Sequence, residues 1–304
     1  MRRALVVINP IAGKGRARTM GACVDLAKSV LAAHDYAADV RVTTAPQDSY
    51  RFSTEGAASS VDLVVAWGGD GTINGAASAV AGTSIPFAIV PGGSGNGLAR
   101  DLSIPFDPKA ALTIAATGQT RAIDGGELHG SLFFNVAGVG FDARIADRLA
   151  QPGARRGLIG YIFATFGEMR SYEPGSYSID EVYDHDGKAL VADITNRPAL
   201  FVALANSRQY GNGAQIAPRA LLDDGMMEIV IVEPQSGLSI LRQVPAFFRG
   251  TLTEGPGLVM RSAAAMEISS EHPIYFHVDG EPRKGPTRIA LRTRRQILNV
   301  RVSR

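Results

Sequence analysis

Short apolar runs alternate with amphipathic stretches in the first third of the chain. The apolar runs predict four strands, at ALVVI (4–8), ADVRVT (38–43), DLVVAW (62–67) and PFAIV (86–90). Most of these runs have few polar positions, as is typical of strands in a sheet covered on both faces. The stretches between them predict helices over residues 16–33, 49–58 and 72–80. This β/α alternation predicts a mostly parallel sheet.

The pattern changes after Arg121. Residues 265–281 and 288–304 alternate in the manner of strands, and MMEIVIV (226–232) is a short, mostly apolar strand. A helical region is predicted over residues 141–169. We therefore expect an α/β domain over residues 1–125 and a mainly β domain over 126–304, with no low-complexity linker between them.

Composition excludes several classes of protein. Hydrophobic residues make up 45% of the 304 residues and charged residues 20%, and the formal charge is +2. Nothing here suggests a nucleic acid partner. The single cysteine, Cys23, can form neither an internal disulfide nor a zinc site. No apolar run reaches the roughly 18–20 residues of a membrane span, and the N-terminus predicts a strand and not a signal peptide, so we expect a cytoplasmic protein.

Three predicted strands end in glycine-rich loops. NPIAGKG follows Ile8, GGDGT follows Trp67 and PGGSGNG follows Val90. In open α/β sheets, ligands bind beyond the carboxyl ends of the strands. Bare backbone N–H groups and helix N-termini at such loops favour anions. The three loops together predict a polyphosphate site, although any one of them alone would be read as a turn.

Asp70 lies among the predicted phosphate-binding loops, so its negative charge needs a positively charged partner. Asp70 would repel phosphate unless a divalent metal lay between them. Thr72 can cap the following helix or bind phosphate, and Asn74 can bind phosphate or a nucleobase edge. The Walker pattern is absent, and a GxGxxA match at Gly138 lacks the acid that would bind a ribose, so we treat it as a chance match.

At this point the motifs resemble the diacylglycerol kinase and sphingosine kinase superfamily, in particular the bacterial diacylglycerol kinase-like lipid kinases. The resemblance covers nearly the whole chain. Its motifs are NPIAG (9–13), GGDGTIN (68–74), PGGSGNGLAR (91–100), FFNVAGVGFDARI (133–145), the segment from Asn206 to Pro234, and HVDGEP (277–282).

The resemblance implies an N-terminal α/β domain that binds ATP and a C-terminal β-sandwich domain, with the lipid head group in the cleft between them. It also implies that the C-terminal stretch returns to the N-terminal domain, which this sequence neither supports nor excludes. Thr43 or Thr44 matches a further nucleotide contact, and counting back from Asp48 favours Thr43. The implied ATP contacts are Asn9, Pro10, Ile11, Ala12, Gly13, Thr43, Gly68, Gly69, Asp70, Gly71, Thr72, Ile73, Asn74 and Ser94.

The implied general base lies in the Asp-Gly-Glu motif. Glu281 is our first choice and Asp279 is the rival, and strand periodicity would place both on one face with His277. The segment LLDDGM matches a structural Mg²⁺ site of bacterial relatives, with Asp224 and the carbonyls of Leu221 and Met226 as ligands. The same residues can also form a simple turn.

The function implied by the resemblance is an ATP- and Mg²⁺-dependent lipid kinase at the membrane surface. The acceptor stays open between diacylglycerol and a sphingoid base, because GGDGT has the bacterial form whereas Asn96-Gly97 is nearer to the sphingosine kinases. The main alternative is a kinase of a soluble acceptor, similar to NAD kinase. A nucleotide-binding regulatory module would not need the three acids Asp70, Asp279 and Glu281. A homodimer is compatible with the sequence.

Overall fold

The computed structural model describes residues 1–10, 19–141, 143, 174–190, 194–211 and 213–304. These residues divide into two compact units. The N-terminal unit contains Met1–Ile123 and Gln296–Arg304, and the C-terminal unit contains Asp124–Arg295. Of the helix predicted over residues 141–169, all but residues 141 and 143 lie outside the described residues.

The N-terminal unit alternates strands and helices, as its apolar pattern predicts. Its strands are β1 (Arg2–Ile8), β2 (Tyr36–Val42), β3 (Leu63–Gly68) and β4 (Phe87–Pro91). Its helices are α1 (Met20–Ala32), α2 (Asp48–Ala58), α3 (Asp70–Val80), α4 (Gly97–Asp101) and α5 (Pro108–Thr117). The four strands pair in parallel in the order β2-β1-β3-β4. The predicted α/β fold with a parallel sheet is confirmed.

Burial explains the continuous apolar strands. Every residue of β3 and β4 is buried, so both faces of the central strands are covered by other parts of the unit. Two of the helices begin at side-chain caps: Thr19 accepts a hydrogen bond from Ala22 N, and Asp107 accepts one from Ala110 N just before Pro108. The helices α1 and α5 thus start where a cap residue satisfies one of the free N–H groups of the first turn.

The C-terminal unit is mainly β. Its strands are β5 (Gln119–Leu128, which starts in the first unit), β6 (Ser131–Phe133), β7 (Val136–Gly140), β8 (Gly175–Tyr183), β9 (Ile194–Ala199), β10 (Phe201–Ala205), β11 (Gln209–Gly211), β12 (Ala214–Gln215), β13 (Met227–Val232), β14 (Leu258–Ala263), β15 (Ala265–Ser269), β16 (Tyr275–Val278), β17 (Glu281–Lys284) and β18 (Arg288–Val302). The helix α6 (Gly237–Arg249) lies between β13 and β14.

Two antiparallel sheets of this unit pack face to face. One has the order β14-β13-β10-β7-β16-β17, and the other contains β9-β8-β15-β18. Alternate residues of β10 point to opposite faces of its sheet. Val202 and Leu204 belong to the core that also contains Ile268 of the second sheet, whereas Ala203 and Ala205 belong to the core on the other face. The predicted sandwich is confirmed, and the helix α6 packs against its outer face.

The final strand, β18, is shared between the units. Gln296, with φ of 48°, interrupts its extended backbone at the point where the chain enters the N-terminal unit. Beyond it, Val300 pairs in parallel with Phe87 of β4, and Asn299 Nδ2 donates to the Thr83 carbonyl at 3.1 Å. The last residues of the chain thus add to the sheet formed by its first residues.

None of the helices among the described residues is long and apolar enough to cross a membrane.

Candidate functional site

The carboxyl ends of β1, β3 and β4 lie side by side at one edge of the parallel sheet. The strand order reverses between β1 and β3, because β2 lies on one side of β1 and β3 on the other. Such a switch point leaves a crevice in which doubly wound sheets bind their ligands. The three glycine-rich loops therefore start at one place, as the sequence predicts.

Asn9 ties the first loop to the second. Its backbone N–H donates to the Trp67 carbonyl at 2.9 Å, and its Nδ2 donates to Thr72 Oγ1 at 3.0 Å. Pro10 follows and is exposed, whereas the predicted contacts Ile11, Ala12 and Gly13 lie outside the described residues. The described start of the first loop is thus fixed over the N-terminus of α3.

The glycines of the second and third loops allow the two loops to approach each other closely. A Cβ on Gly93 would lie 2.6 Å from Gly69 Cα, one on Gly68 would lie 2.6 Å from Thr72 Cβ, and one on Gly95 would lie 2.7 Å from Asp70 Oδ2. None of these glycines has a positive φ. Close packing, and not a left-handed backbone, is therefore what requires glycine at these positions.

Asp70 joins the two loops through its carboxylate. Oδ2 accepts the Asn96 N–H at 2.9 Å and Oδ1 accepts the Gly97 N–H at 3.0 Å. Burial raises the pKa of the Asp70 carboxyl, while these hydrogen bonds and the positive charge of Arg100 oppose that shift. The chain itself thus provides partners for this acid, in addition to any metal ion that comes with a nucleotide.

Asn96 and Arg100 shape the third loop and were not among the predicted site residues. Asn96 is fully buried in the left-handed region, with φ of 51°, and its side chain bonds both the N–H and the carbonyl of Gly93. Arg100 donates to the Gly95 carbonyl at 3.0 Å and lies 4.5 Å over the Phe106 ring. An asparagine that precedes a helix after several glycines is the sequence signal for such a position.

The loop after β2 is held by Asp48. Its Oδ2 accepts the N–H and the hydroxyl of Thr44 and the N–H of Ala45, at 2.8–2.9 Å, and its Oδ1 pairs with Arg51 at 2.8 Å. Thr44 is thereby committed to this turn. Thr43 is buried, and its N–H donates to the Ile8 carbonyl at the end of β1. This arrangement is compatible with the choice of Thr43 as a nucleotide contact.

The remaining predicted contacts lie at the start of α3 and in the third loop. Thr72 is buried, with its hydroxyl accepting from Asn9. The side chain of Ile73 is buried in the core, so only its backbone could contact a ligand. Ser94 is exposed, and Gly71 and Asn74 are partly exposed.

In the C-terminal unit, Asp279 and Gly280 form the two-residue turn of the β16–β17 hairpin. Both have positive φ, 48° and 85°, as a type I′ turn requires. Val278 pairs with Glu281 across the hairpin and His277 pairs with Pro282. The expectation that His277, Asp279 and Glu281 share one strand face is wrong, because the chain reverses direction between them.

The two acids of this hairpin have different surroundings. Asp279 is buried, and its carboxylate accepts the N–H groups of Phe134, Asn135 and Val136, each at 3.0 Å. Glu281 is exposed. Asp279 thus anchors the hairpin to the segment before β7, and the carboxylate of Glu281 is the one that a ligand can reach.

Buried polar side chains extend this anchor. Ser207 Oγ donates to Asn135 Oδ1, and Asn206 Nδ2 donates to the carbonyls of Asp124 and Phe134, both at 2.9 Å. These residues were not among the predicted site residues. The signal was present, since an isolated asparagine within an apolar segment such as FFNVAG is expected to be buried and hydrogen-bonded.

The predicted metal ligands lie at a turn before β13. Asp224 Oδ1 accepts the Met226 N–H at 3.0 Å, and Gly225, with φ of 79°, donates to Asp124 Oδ2 at 2.7 Å. Leu221 is 57% exposed. Partial burial of the Asp224 carboxyl raises its pKa, and the negative charges of Asp124 and Asp223 raise that pKa further. A cation would relieve this repulsion.

The donor set at this turn is compatible with Mg²⁺, which prefers carboxylate, carbonyl and water oxygens. Among the described residues no group of three or more His, Cys, Asp or Glu side chains is arranged to hold a metal. An ion at this turn would therefore depend on Asp224, the carbonyls of Leu221 and Met226, and water.

Comparison with known proteins agrees with these features. The diacylglycerol kinase catalytic domain matches residues 3–128, and the YegS C-terminal NAD kinase beta sandwich-like domain matches residues 135–302. A protein of Chromohalobacter salexigens named "Probable lipid kinase YegS-like" is 31% identical, over 80% of this chain and 77% of its own length. A diacylglycerol kinase of Mycobacterium tuberculosis is 34% identical, over 65% of this chain and 63% of its own length.

Solved structures share the fold. A diacylglycerol kinase from Bacillus anthracis superposes with a TM-score of 0.72 at 20% identity, and the match covers 99% of this chain and 97% of that one.

Proposed function

Because the chain belongs to the lipid kinase family that carries the diacylglycerol kinase catalytic domain and the YegS C-terminal domain, we propose that it transfers the γ-phosphoryl group of ATP to a hydroxyl of a membrane lipid. Family membership makes it a phosphotransferase with an alcohol acceptor. Diacylglycerol or a sphingoid base is the proposed acceptor. Its expected place of action is the cytoplasmic surface of a membrane.

The joined loops at the switch point carry this proposal. Asn9, Gly69 and Gly93 bring three strand ends together, and Asp70 fixes the third loop to the N-terminus of α3. Backbone N–H groups and helix N-termini held in this way favour the phosphates of a nucleotide. Mg²⁺ bound with that nucleotide would neutralise charge on its β- and γ-phosphates.

Glu281 is the proposed general base. The acceptor hydroxyl must lose its proton as it attacks the γ-phosphorus, and an exposed carboxylate can receive that proton. Asp279 is proposed as a positioning residue, because its carboxylate already accepts three backbone N–H groups. Asp224 and the carbonyls of Leu221 and Met226 are proposed to hold a structural Mg²⁺.

An acceptor panel tests the proposal. The full chain is incubated with Mg²⁺ and γ-labelled ATP against diacylglycerol, sphingosine, other lipid alcohols and NAD, and the labelled products are separated by chromatography. We expect label in one class of lipid and none in NAD. A soluble acceptor remains the second candidate, because the matched C-terminal domain is described as NAD kinase beta sandwich-like. Label in NAD alone would favour that candidate and contradict the proposal.

A further inference from the structure

One face of the helix α6 packs against the core of the C-terminal unit. Ile240, Ala246 and Phe247 on its inner face pack against the core on the outer side of the six-stranded sheet. Ser236 caps its N-terminus by accepting from Ser239 N at 3.2 Å, and Gly250, with φ of 64°, ends it. On the opposite face, Leu238, Val244 and Phe248 are not part of this core.

That opposite face, which we call the outer face of α6, is apolar and exposed. Leu238 is 58% exposed, Phe248 is 40% exposed and Val244 is 36% exposed. They are three of the eight large apolar side chains that are exposed among the described residues. At about 100° per residue the three fall within an arc of about 120° on the helix surface, so they form one patch along it.

Positive charge flanks the patch, and the helix carries no negative charge. Arg242 and Arg249 are exposed next to Leu238 in the helical projection, and the sequence from Gly237 to Arg249 contains no Asp or Glu. Within the part of the chain that the structure describes, neither arginine forms an ion pair. An apolar strip bordered by arginines is the composition of helices that lie in the plane of a membrane interface.

We propose that α6 docks the protein onto an anionic phospholipid bilayer, with Leu238, Val244 and Phe248 in the headgroup region and the two arginines against lipid phosphates. The inference deepens the proposed function and rests on it, since a kinase of a membrane lipid must reach a bilayer surface. A second copy of the chain fits the outer face of α6 less well than a bilayer does. A two-fold interface would bring Arg242 and Arg249 of both copies together without an acid from either helix.

Vesicle sedimentation without ATP tests this directly. The full chain is mixed with phosphatidylcholine vesicles that contain or lack phosphatidylglycerol, and the bound fraction gives the partition coefficient. The wild type should bind the anionic vesicles. Leu238→Ser/Phe248→Ser should lower the partition coefficient at least about tenfold, and Arg242→Glu/Arg249→Glu should lower it by about tenfold or more on anionic vesicles.

Two exposed positions in the N-terminal unit provide matched controls. Tyr50→Ser removes a 52% exposed aromatic ring from α2, and Lys28→Glu reverses an exposed charge on α1. Neither should change vesicle binding. If the apolar double variant fails to fold, the arginine pair still tests the same face.

An activity assay in detergent micelles distinguishes an effect on membrane docking from an effect on phosphoryl transfer. Phosphorylation of a short-chain diacylglycerol in detergent micelles should be the same in the α6 variants as in the wild type. Absence of wild-type binding to anionic vesicles, or wild-type binding by both α6 variants, would overturn the inference. So would variants that change only the mass in analytical ultracentrifugation, which would make the outer face a contact between copies. If no lipid is phosphorylated while α6-dependent binding persists, the proposed function fails and the docking surface stands.

Discussion

At the scale of single residues, the Asp-Gly-Glu hairpin places its two acids in different surroundings. Asp279 is occupied by three backbone N–H groups and Glu281 is exposed. The oxygens of Asp279 are occupied in holding the backbone before β7, whereas those of Glu281 are open to a ligand. The geometry therefore favours a base at Glu281 and an anchor at Asp279.

Glu281→Gln is expected to lower lipid phosphorylation by roughly 10²- to 10⁴-fold, the usual contribution of a positioned proton acceptor. ATP affinity should change little, because the proposed nucleotide site consists of the loops of the N-terminal unit. Steady-state kinetics and an ATP binding titration check both parts. The comparison variant is Asp279→Asn, which should lower the thermal stability of the C-terminal unit, whereas Glu281→Gln should not. An active Glu281→Gln enzyme would show that the base lies elsewhere.

Asp48 provides a pH-dependent prediction. Its ion pair with Arg51 and its hydrogen bonds from Thr44 and Ala45 hold the pKa of the Asp48 carboxyl well below its usual range. A depressed pKa contributes stability that is present above the unfolded-state pKa of about 3.9 and is lost as the pH falls further. Asp48→Asn should thus lower the free energy of unfolding near pH 7, and the difference from wild type should shrink below about pH 4.

Urea denaturation at several pH values measures this difference. Asp25→Asn, at an exposed acid of α1, is the control and should match wild type throughout. A difference between Asp48→Asn and wild type that stayed constant down to pH 2 would mean that the carboxylate charge is not what holds the turn.

At the scale of elements, the junction of the second and third loops depends on the absence of side chains. A Cβ on Gly93 would meet backbone at 2.6 Å from Gly69 Cα, and backbone cannot swing aside as a long side chain can. Gly93→Ala is therefore expected to separate the loops, at a cost of about 1–3 kcal/mol in stability, and to raise the KM for ATP.

Gly21→Ala is the matched control, because a Cβ there meets nothing within 4 Å in the first turn of α1. It should leave the KM for ATP unchanged. Thermal melts measure the stability of the two variants, and kinetic titrations with ATP measure their KM. Equal stability and equal KM in Gly93→Ala and Gly21→Ala would show that the loops do not need their close approach.

The strands β1 to β4 and the helices α1 to α3 could be predicted from the sequence to within a few residues, because apolar runs and glycine breaks are local signals. The helices α4 and α5 were not predicted. The helix α3 starts at Asp70 and not at Thr72, since the acid itself fits the first helical turn. The bond from Asn96 N to Asp70 joins residues that are 26 positions apart. A local pattern can indicate that an asparagine is buried or left-handed, but it does not specify the distant partner, so Asn96 and the buried Asn206 were not predicted as parts of the site.

At the scale of the whole molecule, the chain begins and ends in the same unit. The pattern of β18 is that of an ordinary strand, so the sequence alone could not decide to which sheet its end belongs. The structure places Leu298 and Val300, both fully buried, in the N-terminal unit. We therefore expect the stability of the N-terminal unit to depend on the last residues of the chain.

Leu298→Ala is expected to lower the stability of the N-terminal unit by about 2–5 kcal/mol, as for other buried leucines. Hydrogen exchange read by mass spectrometry should show faster exchange in β4, which pairs with this end of β18. Ser303→Ala, at an exposed position, should exchange as wild type does. If Leu298→Ala left β4 protected, the final strand would not support the sheet.

The most direct measurement of the central claim is the fate of labelled ATP in a reaction with lipid vesicles and Mg²⁺. With γ-labelled ATP, label should enter the organic phase with one ADP formed for each phosphorylated lipid, and with α-labelled ATP all label should stay in the aqueous phase. Glu281→Gln should lower both the lipid label and the ADP. ADP formed without lipid label, or lipid label that is unchanged in Glu281→Gln, would contradict the account.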